Sequence, residues 1–301
     1  MVIWLVPISG NHFFIDENTT LLYIEAMKLL VLGGSYTGKY IHSNFPEHSV
    51  FFLSRNPGDL ISSGFRPFQI EMLDSEKPLD MILDTVPALH ADSTDAIPPY
   101  FNEVKQALAC FPGLPYVHIS STSVYPQGKK SDDHHALPVF DETTEAEPSN
   151  EQGQRRLLLE KSIRLHYPSS IIIRSGGIYG PGRGIAIKIK SKTFTGSNEN
   201  RMISRIHVHD LARLCIAVSG YNYKLINGVD SNPSSNSETF TWLENLTEEK
   251  IPGTWRDMPV SGRIIKSLYA EKILGHFKFS SYRDGISDIA EKNYYRQYQG
   301  E

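Results

Sequence analysis

A glycine-containing turn near residue 33 has residue types that could hold a pyrophosphate. An apolar run starting at Lys28 ends in two glycines, and a segment with helical spacing of apolar residues follows. Gly33 can take the tight turn at the end of a strand, and Gly38 lets the next helix pack closely on the sheet. The turn departs from G-x-G-x-x-G because Ser35 occupies the middle glycine's place. It predicts a dinucleotide site, with an ordinary strand-to-helix turn as the alternative. The candidate residues are Gly33, Ser35, Tyr36, Thr37 and Gly38.

Other apolar runs predict the strands that would position this turn. They are nearly continuous and alternate with segments of helical spacing, which is typical of a parallel sheet covered by helices on both faces. We therefore predict an α/β fold with a Rossmann-type, doubly wound parallel sheet. The strands predicted after the first are Ser49–Leu53, 67–73, 79–86, Tyr116–Ser121 and 170–174, and a helix is predicted at 100–109.

Residues that directly follow the predicted strands are candidates for a ligand site, because ligands of parallel sheets lie at the carboxyl ends of strands. We expect these residues to line one crevice. From residue 183 onward, Gly, Asn, Ser and Pro interrupt short elements, which predicts a smaller, interleaved C-terminal lobe that closes over the crevice and binds substrate. The candidate cofactor-binding residues outside the glycine turn are Ser54, Arg55, Thr85, Val86, Ser120 and Gly176.

The composition restricts the class of protein. The 301 residues carry a formal net charge of −4, so a large basic surface for nucleic acid is not expected. No apolar segment approaches the roughly 20 residues that span a bilayer. Cys110 and Cys215 lie in apolar, helix-like sequence and are interpreted as buried thiols, which favours a reducing, cytoplasmic location.

Three regions are expected along the chain. Residues 1–26 have no basic stretch ahead of their short apolar segment, which argues against a secretory signal, and we interpret them as a loosely packed N-terminal extension. Residues 27–183 would form the dinucleotide-binding domain. Residues 184–301 would form mainly the substrate lobe, with 205–230 returning to the first domain.

Three later segments resemble motifs of a known family. Residues 117–125 read Val-His-Ile-Ser-Ser-Thr-Ser-Val-Tyr, residues 173–183 read Ile-Arg-Ser-Gly-Gly-Ile-Tyr-Gly-Pro-Gly-Arg, and residues 205–212 read Arg-Ile-His-Val-His-Asp-Leu-Ala. In this order they resemble the extended short-chain dehydrogenase/reductase superfamily, of the NAD-dependent epimerase/dehydratase type. The late segment 281–285 is similar to the tail of an atypical branch. The resemblance implies a Rossmann domain that binds NAD(P).

The family's catalytic pair, Tyr-x-x-x-Lys on one helix, is replaced in this chain. The matching segment after Pro148 puts Gln152 at the tyrosine and Arg156 at the lysine. Residues four apart share a helix face, so the geometry could survive. Glutamine has no usable titration, whereas arginine stays charged and could donate to ribose hydroxyls. Because Ser149-x-x-Gln152 also satisfies a capping box, Gln152 is alternatively a helix cap.

The resemblance also implies roles for other side chains. Ser121 corresponds to the family's Ser/Thr that bonds the reacting oxygen, with a backbone hydrogen bond as the alternative. Tyr125 is the candidate substitute proton donor, and aromatic packing is its alternative. Arg183 and Arg205 could bind an anionic substrate group or be exposed loop arginines. The segment 207–210 contains two histidines and an aspartate without a complete set of metal ligands, so we assign it to structure and predict no metal site.

A departure after the second strand bears on the cofactor. NAD-selective members of the family place an acidic residue where this chain has Ser54 and Arg55, so NADP is favoured over NAD. The resemblance implies hydride transfer at a carbonyl or alcohol carbon of an unidentified small molecule. The alternative is a non-catalytic, dinucleotide-responsive regulator or assembly factor. We expect a monomer or homodimer with neither nucleic acid nor membrane as partner.

Overall fold

The computed structural model describes residues 26–54, 57–68, 79–87, 113–128, 130–131 and 137–291. In this part of the chain no helix is long and apolar enough to cross a membrane. Cys215 is fully buried, and burial raises the pKa of its thiol. The predictions that fall outside the described residues concern nearly all of the N-terminal extension, Arg55, the helix at 100–109, Cys110 and most of the strand at 67–73.

Strands and helices alternate at the start of the described chain, as far as residue 84. The strands are β1 (Lys28–Leu32), β2 (Ser49–Leu53), β3 (Met81–Asp84), β4 (Tyr116–Ser121), β5 (Lys130–Ser131), β6 (Val139–Phe140), β7 (Ile171–Ser175), β8 (Gly177–Tyr179), β9 (Arg201–Ile203), β10 (Arg205–His207), β11 (Leu225–Gly228), β12 (Ser234–Ser235), β13 (Val260–Gly262) and β14 (Ile264–Ile265). The helices are α1 (Tyr36–Asn44), α2 (Pro57–Ser62), α3 (Glu151–His166), α4 (Ile185–Lys190), α5 (Val208–Ala217), α6 (Asn236–Thr247), α7 (Ala270–Leu274) and α8 (Tyr282–Glu291).

A six-stranded parallel sheet in the order β11-β7-β4-β3-β1-β2 forms the centre of the fold. The predicted Rossmann-type fold is therefore confirmed. Strand β2 lies on one side of β1 and β3 on the other, so the strand order reverses between β1 and β3. In such sheets the crevice at this reversal is where ligands bind. Pro67 forms a parallel bridge to Phe52 of β2, at the start of the strand predicted there.

Strand β1 explains why the sequence shows apolar runs rather than alternation. Leu29 and Val31 pack with residues of α1 and α5, whereas Leu30 and Leu32 pack on the opposite face with residues of α3. All four side chains are at most 1% exposed. Because helices cover both faces of the sheet, every position of the strand is buried.

The second half of the chain builds a smaller lobe and also returns to the main sheet. Strands β12, β9, β13 and β5 form a four-stranded sheet, while β10 pairs with β8 and β14 with β6. Strand β11 adds to the edge of the main sheet beside β7. Because β5 and β11 cross between the two halves of the chain, the lobe and the sheet are interleaved. The domain limits stay predictions.

Helix α5 anchors a late segment of the chain through Asp210. This fully buried carboxylate accepts hydrogen bonds from the backbone N–H groups of Lys278 and Phe279, both at 2.9 Å, and from Arg213 at 3.1 Å. These contacts are the structural role expected for the segment 207–210. Among the described residues, no group of three His, Cys, Asp or Glu side chains is arranged to hold a metal ion.

Candidate functional site

A cleft of about 610 Å³ lies at the carboxyl ends of the central strands, where the strand order reverses. The glycine turn, the end of β3, the end of β4, the start of α3 and the segment after β7 all contribute to it. Segments far apart in the sequence therefore meet at one surface. The sequence-predicted residues that line the cleft are Gly33, Ser35, Tyr36, Thr37, Thr85, Val86, Ser120, Ser121, Gln152, Arg156, Gly176 and Arg183.

Two glycines set the position of the turn and of α1. Gly33 has a φ of +89°, a backbone conformation that side chains disfavour, and its N–H donates to the carbonyl of Leu53 at 2.8 Å. A Cβ on Gly38 would lie 2.6 Å from Cγ1 of Val31. Helix α1 therefore approaches β1 more closely than a larger residue at position 38 permits. Its first turn is held at the mouth of the cleft.

Ser35 caps α1 and keeps a donor for a second partner. Its Oγ accepts a hydrogen bond from the N–H of Gly38 at 3.1 Å, while its O–H can still donate to a ligand oxygen. N–H groups in the first turn of a helix have no partner within the helix, and the helix dipole favours negative charge there. A phosphate group fits this combination of donors. Gly38 itself packs against the sheet, behind the cleft surface.

Tyr36 ties the glycine turn to the segment after β8. Its hydroxyl donates to the carbonyl of Pro181 at 2.8 Å, and the guanidinium of Arg183 lies over its ring at 5.2 Å from the centroid. Arg183 also lines the cleft. The two rims of the cleft are therefore joined by a hydrogen bond and a cation–π contact.

A buried polar network supports the cleft at the end of β3. Asp84 is fully buried, accepts a hydrogen bond from the Tyr116 hydroxyl at 2.6 Å, and has His118 Nδ1 at 2.9 Å from its Oδ2. His118 lines the cleft, and Thr85 next to Asp84 donates to a β1 carbonyl at 2.6 Å. His118 is not among the site residues predicted from the sequence. The available signal was a pair of polar residues at positions 84 and 118 inside apolar runs.

Helix α3 begins differently from the sequence-based expectation. Asn150 is the N-cap and accepts from the N–H of Gly153 at 2.8 Å, whereas the Ser149 hydroxyl accepts from the N–H of Gln127 at 2.9 Å. The capping box from Ser149 to Gln152 is therefore wrong. Gln152 instead lines the cleft.

Arg156 and Ser121 both make hydrogen bonds to Ser123, the middle residue of a short 3-10 turn, Thr122–Val124. Arg156 Nη1 donates to the Ser123 hydroxyl at 2.8 Å, and burial lowers the pKa of this guanidinium. The Ser121 hydroxyl accepts from the N–H of Ser123 at 3.2 Å, so it caps the turn. A hydroxyl in this arrangement keeps its proton for a ligand in the cleft.

A buried ion pair fixes α3 against β4 and β7. Glu160 of α3 accepts from the Ser120 hydroxyl of β4 at 2.5 Å and from Arg174 of β7, with Nη2 at 2.8 Å and Nε at 3.2 Å. Bidentate geometry restricts both partners. The contact therefore sets the distance between the helix that carries Gln152 and the strand that ends at Ser121.

Tyr125 does not lie in the cleft, which corrects its assignment as a proton donor. Its side chain is 1% exposed, its hydroxyl donates to Asn227 Oδ1 at 2.8 Å, and its ring stacks on Phe140. Burial, the largest influence, raises the pKa of its phenol above the ordinary value. The aromatic-packing alternative describes this residue.

Arg205 likewise lies inside the protein rather than in the cleft lining, which corrects its assignment to substrate. It donates to the Ser234 hydroxyl at 2.8 Å, and its guanidinium lies over the ring of Tyr282 at 4.8 Å from the centroid. It is 7% exposed. Ser54, assigned to the cofactor, also lies outside the cleft lining, and Arg55 is outside the described residues.

Solved structures of related fold were found, although no protein-family model and no curated protein sequence matches the chain. A functionally unknown conserved protein from Silicibacter pomeroyi is 20% identical, with a TM-score of 0.65 over 89% of this chain and 99% of that one. The dTDP-glucose 4,6-dehydratase from Bacillus anthracis, solved with NAD, is 14% identical, with a TM-score of 0.67 over 91% and 98%. The UDP-glucuronic acid 4-epimerase from Bacillus cereus, solved with UDP-glucuronic acid and NAD, is 18% identical, with a TM-score of 0.61 over 90% and 99%.

These likenesses extend over nearly the whole chain, so they include the lobe as well as the parallel sheet. At identities of 20% or less they establish the fold and not the reaction. The resemblance noted from the sequence motifs is therefore confirmed at the level of architecture: this chain has the fold of the NAD-dependent epimerases and dehydratases.

Proposed function

We propose that this protein binds a nicotinamide dinucleotide in the cleft, as an NAD(P)-binding protein of the epimerase/dehydratase type. The observation that carries the proposal is the turn from Gly33 to Gly38, which lies where the strand order reverses and directs the start of α1 to the cleft. The pyrophosphate would lie against this turn, with the Ser35 hydroxyl as a donor. The dehydratase and the epimerase with the same fold were solved with NAD, which supports the proposal.

We favour NADP over NAD on sequence grounds. Ser54 and Arg55 directly follow β2, where a hydroxyl and a guanidinium suit a 2′-phosphate better than two ribose hydroxyls. Replacing Arg55 with glutamate should lower the ratio of NADH to NADPH dissociation constants by at least tenfold, measured by fluorescence titration. An unchanged ratio would reject the preference.

The cleft can orient a carbonyl or alcohol, but the family's acid is absent. When bound, the dinucleotide supplies or accepts a hydride. Ser121 can donate to the reacting oxygen, and Arg156, held by Ser123, can donate to ribose hydroxyls. The amide of Gln152 donates hydrogen bonds without releasing a proton. Losing a positioned acid or base costs about 10²–10⁴-fold in rate, so hydride transfer would be slow unless a substrate group or water supplies the proton.

A second candidate function follows from the same residues. Gln152 lines the cleft at the position where the family has tyrosine, so the side chain at that position cannot exchange a proton. A protein that binds a dinucleotide without turnover would act as a dinucleotide-responsive regulator or assembly factor. Such a protein would need the glycine turn for binding but would not need the family's Tyr-x-x-x-Lys pair.

Two measurements test these functions. Titration with NADPH and NADH should give submillimolar dissociation constants, and the absence of binding for both would overturn the proposal. Consumption of NADPH with a panel of aldehydes and ketones should then be compared between the parent and the double variant Gln152→Tyr, Arg156→Lys. Turnover by the parent would reject the regulator. Turnover by the double variant alone would support it.

A further inference from the structure

His118 is a cleft side chain of the type that exchanges protons near neutral pH. Among the described residues that line the cleft, the other ionisable side chains are Tyr36, Arg156 and Arg183, and none is a carboxylate. The hydroxyl of Tyr36 is engaged by the carbonyl of Pro181, and a guanidinium stays charged throughout the physiological range. Within this lining, a change of protonation near neutral pH therefore falls to His118.

Asp84 orients this imidazole. His118 pairs in register with Asp84, the last residue of β3, while β4 continues to Ser121, so the ring lies level with the end of β3. Its Nδ1 lies 2.9 Å from Asp84 Oδ2, and because a carboxylate accepts hydrogen bonds, Nδ1 carries the hydrogen. Among the described residues, no hydrogen bond engages the other ring nitrogen, Nε2. This nitrogen is left for a ligand in the cleft.

Three donors converge on Asp84. Besides His118, the Tyr116 hydroxyl donates to Oδ2 at 2.6 Å and the N–H of Val86 donates to Oδ1 at 3.0 Å. Asp84 is fully buried and His118 is 2% exposed, so the ring cannot turn away without leaving a buried acceptor short of a donor. The carboxylate also offsets the cost of a positive charge on the buried imidazole. A histidine oriented by a buried carboxylate is an arrangement that proteins use for reversible proton uptake.

The other charged groups around the pair make proton uptake depend on the ligand. On α3, Arg156 lines the cleft, whereas Glu160 is paired with Arg174 of β7 at 2.8 Å. Arg183 adds a second positive charge from the segment after β8. The two guanidinium groups in the cleft lining disfavour a further positive charge on His118. A dinucleotide carries a negatively charged pyrophosphate, which offsets them and favours the protonated imidazole.

We propose that His118 is a proton-linked binding residue of the cleft, which takes up a proton at Nε2 when an anionic dinucleotide binds, and that Asp84 is its positioning residue. The proton comes from solvent, the new N–H donates to an oxygen of the ligand, and the Nδ1 hydrogen stays with Asp84. This inference rests on the proposed dinucleotide function. It adds a dependence of affinity on pH, with tighter binding below the titration range of His118 and weaker binding above it.

Two measurements on the parent protein test this linkage. NADH is the ligand, because the 2′-phosphate of NADPH itself titrates at about pH 6. The dissociation constant of NADH, measured by fluorescence titration between about pH 5.5 and pH 8.5, should rise about tenfold with pH. Hydrogen–deuterium exchange at the imidazole carbon, resolved by mass spectrometry, follows the titration of His118 with and without saturating NADH. Its midpoint should rise by about one pH unit on binding, because linkage equates that shift with the tenfold change.

Three variants assign the effect to the pair. In His118→Gln the dissociation constant should change less than about twofold over the same pH range. His166→Gln is the matched control, because His166 ends α3 at the opposite end from Gln152, and it should keep the tenfold change. Asp84→Asn removes the neighbouring negative charge and should lower the titration midpoint of His118, a readout that a merely structural role would not move.

Three results would overturn the inference and leave the dinucleotide proposal standing. They are an affinity for NADH that is independent of pH, an unchanged midpoint of His118 on binding, and the same pH dependence in His118→Gln as in the parent. Absence of binding for both NADH and NADPH at every pH would overturn both proposals. Should only NADPH bind, the same titrations use it, and His118→Gln supplies the contribution of the 2′-phosphate. Should His118→Gln fail to fold, the exchange measurement decides the matter, because it needs no variant.

Discussion

Replacing Gly38 with alanine tests whether the close approach of α1 to β1 builds the glycine turn. The new Cβ would lie 2.6 Å from Val31 Cγ1 and 3.1 Å from Phe52 Cε1, whereas carbon atoms pack at about 3.5–4.0 Å. The helix or the valine must therefore move by about 1 Å. Overpacking of this kind costs about 1–3 kcal/mol, and the better helix propensity of alanine returns at most about 1 kcal/mol. We expect a net loss of about 1–2 kcal/mol in the free energy of unfolding.

Urea denaturation measures this loss, and Gly58→Ala in α2 is the control. A Cβ on Gly58 would meet nothing within 4 Å, so that variant should be unchanged or more stable by up to about 1 kcal/mol. Adding Val31→Ala to Gly38→Ala should recover at least about 0.5 kcal/mol relative to the sum of the single effects. NADPH binding should weaken in Gly38→Ala and not in Gly58→Ala. If Gly38→Ala matches the parent in both urea midpoint and NADPH dissociation constant, the close approach of α1 to β1 is not what builds the glycine turn.

Three further predictions concern buried polar groups. Glu160→Gln leaves Arg174 buried without a counter-charge and should lower the free energy of unfolding by about 3–5 kcal/mol, measured by urea denaturation. A loss smaller than about 1 kcal/mol would contradict the structural importance of the pair. Burial raises the pKa of Asp230 from 3.8 to about 8, so the native state binds a proton that the unfolded state releases. The free energy of unfolding should therefore fall by up to about 1.4 kcal/mol per pH unit between about pH 4 and pH 8, and Asp230→Asn should remove that slope in denaturation at pH 5 and pH 7.5. Tyr125→Phe leaves Asn227 without its hydroxyl donor and should lower the free energy of unfolding by about 1–3 kcal/mol without changing NADPH affinity. A tenfold loss of NADPH affinity in a folded variant would show instead that Tyr125 contributes to the cleft.

The parallel sheet, the glycine turn and most of the cleft lining could be predicted from the residues alone. These features follow from local rules. A strand covered on both faces must be apolar at every position, as Leu29 to Leu32 are, and a turn with positive φ favours glycine at position 33. Parallel strands then bring the residues after each run to one edge, which is why Thr85 and Ser121 meet at the same cleft.

Which polar side chains line the cleft and which are buried in the core could not be predicted, because this depends on how distant elements pack. Tyr125 bonds Asn227, 102 residues away, Tyr36 bonds the carbonyl of Pro181 at a separation of 145, and Arg263 reaches Thr122 across 141. Such partners leave no periodic or spacing signal, because each contact depends on how distant elements pack. A tyrosine, an arginine or a serine after a strand gives the same sequence pattern whether its side chain points to a ligand or to a buried carbonyl. Whether such a side chain faces a ligand or the core depends on its burial and on the hydrogen-bond partner that the fold brings close to it.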